Sequence, residues 1–101
     1  MHASDAGDSS RCRIFETRQF LRDLERFGLA AQKRLEAKLR QHVYPILREN
    51  PRFGLNIKRL KNWEPPTWRY RVGDWRFFYE IDERDKVISL TAADHSRETY
   101  R

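Results

Sequence analysis

Sulfur is nearly missing from this chain: its 101 residues hold one cysteine, Cys12, and one methionine. A single cysteine excludes an intrachain disulfide framework and a cysteine-based zinc site, and it fits a reducing compartment without strain. Glycine is scarce too. Its four copies are spread along the chain, so no Gly-rich loop is present to cradle a phosphate. No apolar run approaches the roughly 20 residues that a membrane span needs. The first ten residues are polar, carry two Asp and lack the apolar stretch of a secretory signal. His2, His42 and His95 are scattered, and no paired carboxylates stand at ligand spacing, so a metal constellation is not visible. Nor is a Cys or Ser nucleophile beside a base; Cys12, in a strand, reads as a small buried residue. These gaps leave the expectation of one small cytoplasmic domain without a built-in metal, cofactor or nucleophile.

Positive charge, by contrast, is abundant. There are 21 Lys and Arg against 15 Asp and Glu, a formal net charge of +6. Such a balance points to an anionic partner, with nucleic acid the leading candidate. The hydrophobic fraction of 39% supports one modest core, and 13% aromatic content argues against disorder although 36% of the residues are charged. The charge is uneven. Residues 57–76 hold six basic and two acidic side chains, with Trp63, Trp68, Tyr70 and Trp75 interleaved among them. Basic groups bind phosphates and flat rings stack on unpaired bases. Aromatic residues in strands usually fill a core, which is the preferred reading for these rings.

Periodicity divides the chain into a polar tail over residues 1–10, expected to be flexible, and one domain over 11–101. Alternation over residues 12–17 predicts a short first strand. Thr17 is a fitting N-cap for a first helix carrying Phe20, Leu21, Leu24 and Phe27 at helical spacing. Gly28 ends it, and a second helix from Leu29 carries Leu35, Leu39, Val43, Ile46 and Leu47 as one apolar stripe. Pro45 lies inside that stripe and should kink or shorten the helix. After a turn at Asn50-Pro51 the period changes to two. Strands are expected over 57–61, 68–72, 75–81 and 86–93, the middle two joined by Gly73-Asp74 in a type II′ turn. The order β-α-α-β-β-β-β predicts an α+β domain, a helical hairpin packed on a mainly antiparallel sheet.

The two-residue turn sets a register in which Val72 faces Trp75, Arg71 faces Arg76 and Arg69 faces Phe78. Trp68, Tyr70, Val72, Trp75, Phe77, Tyr79 and Ile81 then share one face, and Arg69, Arg71, Arg76, Phe78 and Glu80 the other. Like charges directly opposite one another destabilise a hairpin, and folding does not demand them. An anion seated between Arg71 and Arg76 explains the pair; the alternative is that both splay into water or pair with Glu80 and Glu98. RNA supplies its own nucleophile, the 2′-OH, so strand cleavage requires only a proton acceptor, a proton donor and cations on the phosphate. Arginine suits the last role, and His95 is the candidate for proton transfer.

The run RYRVGDWRFFYEID at residues 69–82, with DHSRETY at 94–100, resembles the RelE/ParE toxin superfamily of bacterial type II toxin–antitoxin modules. Leu60-Lys61, Asn50-Pro51 and the helical hairpin match as well, so the resemblance covers residues 13–101. The RelE branch implies a ribosome-dependent endoribonuclease that cuts mRNA, with no metal or organic cofactor. By position it implies catalytic roles for Arg69, Arg76, His95, Arg97 and Tyr100, and RNA contacts for Lys58, Lys61 and Arg71. Where the family pattern has His-Arg, this chain has His95-Ser96, with Arg97 following. The ParE branch implies instead a gyrase poison that leaves RNA intact. Either branch implies a cognate antitoxin, for which the net charge of +6 suggests an acidic segment; the first also implies contact with the ribosome. No sequence feature bears on homo-oligomerisation.

Overall fold

The computed structural model describes residues 11–96; the expectations for residues 1–10 and for Arg97 and Tyr100 lie outside that range. Strand β1 (Arg13–Glu16) leads into helices α1 (Arg18–Arg26) and α2 (Leu29–Lys38), a π-helical turn over Leu39–Val43, and helix α3 (Tyr44–Glu49). Strands β2 (Ile57–Arg59), β3 (Trp68–Val72), β4 (Trp75–Asp82) and β5 (Val87–His95) follow. They form one five-stranded sheet in the order β1-β5-β4-β3-β2. Only β1 runs parallel to its neighbour, β5; the other pairings are antiparallel. The α+β architecture read from periodicity is thus the one observed.

Thr17 caps α1 as its position suggests: its Oγ1 accepts from the Phe20 N–H at 3.2 Å and donates to the Leu90 carbonyl at 2.8 Å. The same hydroxyl therefore starts the helix and ties it to β5. Gly28 joins α1 to α2 at a φ of 94°, a left-handed value that a side chain would resist. Pro45 does not end the helical run. Its missing N–H and bulky ring conflict with an α-helical ladder, and the ladder widens just before it: the Tyr44 N–H reaches back to the Leu39 carbonyl. The wider turn lets Pro45 enter α3 at its first turn, where no N–H is required. As a result Leu35, Leu39, Val43 and Leu47 all stay buried, with Phe20 and Leu24 of α1 beside them. Ile46, read as part of the same stripe, is exposed.

The helices lie on the sheet face made by Tyr70, Phe77, Tyr79, Ile88, Leu90 and Ala93, with Trp68, Val72, Trp75 and Ile81 at its margin. The alternation read for the hairpin is reproduced: Arg71 faces Arg76, Arg69 faces Phe78 and Val72 faces Trp75. Gly73 has a φ of 57° and Asp74 does not share the left-handed region, as a type II′ turn requires. Two strands end two residues away from the expected position. β2 stops at Arg59, because Asn62 takes a left-handed φ of 63° and turns the chain into the connector. β5 runs on to His95, since a β-bulge at Thr91 keeps its far half paired to β4.

Candidate nucleic-acid interface

The sheet face turned away from the helices carries the charge. Lys58 of β2 stands beside Arg69 of β3, which stands beside Phe78 of β4. In the next row Arg71 faces Arg76, and Arg76 faces Asp94 of β5. Four of the residues nominated from sequence, Lys58, Arg69, Arg71 and Arg76, are therefore neighbours on one open surface. Lys61 sits further out, lining a shallow cleft with Arg59, Asn62, Trp63 and Glu64.

Each arginine is held differently. The Arg71 Nε donates to the Gly73 carbonyl at 2.9 Å, which bends this exposed side chain towards the hairpin turn. The Arg76 Nε donates to Asp94 Oδ1 at 2.9 Å, both side chains being partly buried. Asp94, which was not singled out in the sequence, thus relieves the facing Arg71–Arg76 pair. Arg69 is half-buried. Its Nε has no hydrogen-bond partner, the one such buried side-chain atom among the described residues. Burial, followed by the charges of Arg71 and Arg76, lowers its pKa from the ordinary arginine value, yet a guanidinium so far above neutrality stays charged. A buried donor without an acceptor costs free energy.

The bulge decides which side chains from β5 reach this face. Leu90 pairs with Tyr79 and Ala92 with Phe78, leaving Thr91 unopposed. Unbroken alternation from the buried Ile88 and Leu90 would have turned Asp94 inward and His95 outward. The extra residue reverses both. Asp94 reaches Arg76, and His95 turns to the helix side, its ring packed edge-on against Trp75 with centroids 4.4 Å apart. Trp75 packs in turn on Phe27. His95 is therefore not brought to the arginines, and the sequence offered no bulge signal such as glycine to announce this.

Of the four rings interleaved with the basic residues, Trp68, Tyr70 and Trp75 pack with the core, as preferred. Trp63 does not. It lies on the charged face, stacked nearly parallel to Phe78 with an interplanar angle of 12°. Among the described residues no three of His, Cys, Asp and Glu are placed to hold a metal ion, and no helix is long and apolar enough to cross a membrane.

Residues 14–100 match the family model described as the ParE toxin of the type II toxin–antitoxin system parDE. The chain belongs to this toxin family. Its fold is similar to solved toxins of the wider RelE/ParE superfamily. The toxin–antitoxin complex RelBE2 of Mycobacterium tuberculosis aligns with a TM-score of 0.67 at 22% identity, over 84% of this chain and 98% of that one. The RelE–RelB complex of Pyrococcus horikoshii aligns with a TM-score of 0.61 at 22% identity, over 85% and 96%. A mutant of the E. coli toxin RelE in its free state also gives 0.61, at 15% identity, over 89% and 88%. No curated protein sequence matches.

Proposed function

We propose that this toxin cuts mRNA on the ribosome, using the outer face of its sheet to bind the scissile phosphate. The observation that carries this reading is the unpartnered Arg69 Nε among Lys58, Arg71 and Arg76. Guanidinium groups match phosphate oxygens bidentately, and their charge stabilises the extra negative charge that develops as a 2′-OH attacks phosphorus. Arg69 and Arg71 take that role. Asp94, fixed beside Arg76, offers a carboxylate to receive the 2′-OH proton as the O2′–P bond forms and the P–O5′ bond breaks, the departing 5′-oxygen taking its proton from water at this open site. Arg97 and Tyr100 keep the roles implied by resemblance, whereas His95, turned against Trp75, does not face the phosphate. The active site is open and shallow, so a large RNA-rich partner completes it. A cognate antitoxin is the second partner, as in the similar complexes from M. tuberculosis and P. horikoshii; against this basic face an acidic segment is expected.

Two observations favour a second reading. The imidazole faces away from the arginines and Arg76 is neutralised by Asp94, which weakens a nuclease and suits a gyrase-poisoning toxin. Induction in growing cells separates the two. Translation arrest within minutes, without a DNA-damage response, is the expected result. A DNA-damage response with translation and mRNA intact overturns the nuclease in favour of the gyrase poison.

A further inference from the structure

The charged face carries an aromatic ring that folding does not use. Trp63 belongs to the connector between β2 and β3, lies outside the core cluster and is 51% exposed. Its position is nonetheless set. The Leu60 N–H donates to the Thr67 carbonyl at 2.9 Å, closing the connector at its base. The Thr67 hydroxyl donates to the Pro65 carbonyl at 3.0 Å, and Asn62 makes the left-handed turn that precedes the indole. The ring then rests on Phe78, centroids 6.0 Å apart, in an offset parallel stack. Phe78 is the direct cross-strand neighbour of Arg69, whose other neighbour is Lys58. A flat, half-open ring is thus held on the same side of the sheet as the half-buried Arg69 and as Lys58.

We propose that Trp63 is a stacking platform for one unpaired nucleobase of single-stranded RNA, the phosphate next to that base lying on Arg69 and Arg71. This rests on the RNA-cutting reading above and adds a base subsite to it. An unstacked base presents a π face to an aromatic side chain and its phosphate to a cation, which are the two chemistries this corner offers together. Burial by Phe78 on one side leaves the indole preorganised, so little rotamer entropy is lost when a base arrives. Stacking of this kind tolerates any base, so the platform strengthens binding without choosing sequence.

The plain structural alternative is that Trp63 only shields Phe78 from water. Trp63→Leu keeps an apolar cover over Phe78 and removes the π face, and Trp63→Phe restores a smaller one. Binding is measured with a short 2′-O-methylated oligoribonucleotide, which cannot be cleaved, and with the same oligomer carrying abasic positions. Wild type is expected to bind the base-containing oligomer about tenfold more tightly than the abasic one. Trp63→Leu should erase that difference while leaving abasic binding and the unfolding midpoint unchanged, and Trp63→Phe should recover most of it. Equal binding of both oligomers by wild type, or a preference that survives Trp63→Leu, overturns the platform but leaves the arginine face standing. No measurable binding of either oligomer overturns the platform as a subsite for single-stranded RNA, whereas the ribosome-dependent reading stands or falls on the induction experiment above.

Discussion

Arg69 is a residue whose position makes little sense for stability. Its Nε is buried without a partner, and the charges of Arg71 and Arg76 bear on it. Replacing it with methionine keeps the aliphatic stem and removes the unpaired donor and the repulsion. Arg69→Met is therefore expected to hold or raise the thermal unfolding midpoint, while cleavage of ribosome-bound mRNA falls about 100-fold or more. A large drop in the midpoint would show that the guanidinium serves the fold. Asp94 works in the opposite sense, because it occupies Arg76. Asp94→Asn removes one negative charge from this face, so RNA affinity at low salt should rise and the slope of log affinity against log salt should steepen by about 0.7. On the nuclease reading the same change slows cleavage, since the proton acceptor is lost. Two buried tyrosines report on the core. Tyr44 donates to Glu16 Oε2 at 2.6 Å and Tyr79 to the Pro51 carbonyl at 2.7 Å. Burial raises both pKa values above the ordinary 10.0, helped at Tyr44 by Glu16 and at Tyr79 by Tyr70. The folded protein keeps these protons while the unfolded chain loses them, so their stabilisation is whole below about pH 10 and is lost as pH rises beyond it. Denaturant titrations between pH 8 and 11 should show this decline, shallower in Tyr44→Phe.

Among the elements, β5 does most to shape the site. Its first half pairs with both β1 and β4, and β1 ends at Glu16, opposite Leu90. From there α1 guards the strand: Thr17 binds the Leu90 carbonyl, and the buried Asp23 accepts the Ala93 N–H at 2.9 Å while holding Gln19 and Arg26. Asp23 thus anchors the strand just past the bulge that turns Asp94 outward. Asp23→Ala should cost about 2–3 kcal/mol in urea unfolding, the penalty for stranding buried donors around a lost carboxylate. A cost below about 0.5 kcal/mol would mean that water replaces it. The elements also show what could be read without coordinates. The hairpin register followed from Gly73-Asp74 and strict alternation, and it placed Arg69, Arg71 and Arg76 on one face. The helical stripe survived Pro45 because a π turn, invisible to a 3.6-residue pattern, absorbed the proline. The bulge at Thr91 had no such local mark. One unforeshadowed residue exchanged Asp94 for His95 on the charged face, and no counting of periods recovers that.

For the molecule as a whole, the scarcity of glycine and cysteine and the excess of basic residues now have a spatial meaning. The core lies between the helices and one side of the sheet, and the other side is left open with Lys58, Arg69, Arg71 and Arg76 across three adjacent strands. On the function proposed above, that open side is where the anionic partner is held. The most direct test of this arrangement is primer extension on a reporter mRNA after induction in cells, comparing wild type with Arg69→Met. The expected result is a set of discrete, translation-dependent breaks in the reporter with wild type that disappear with Arg69→Met although the variant accumulates as folded protein. An intact reporter during wild-type growth arrest, or breaks that persist undiminished in Arg69→Met, would contradict it.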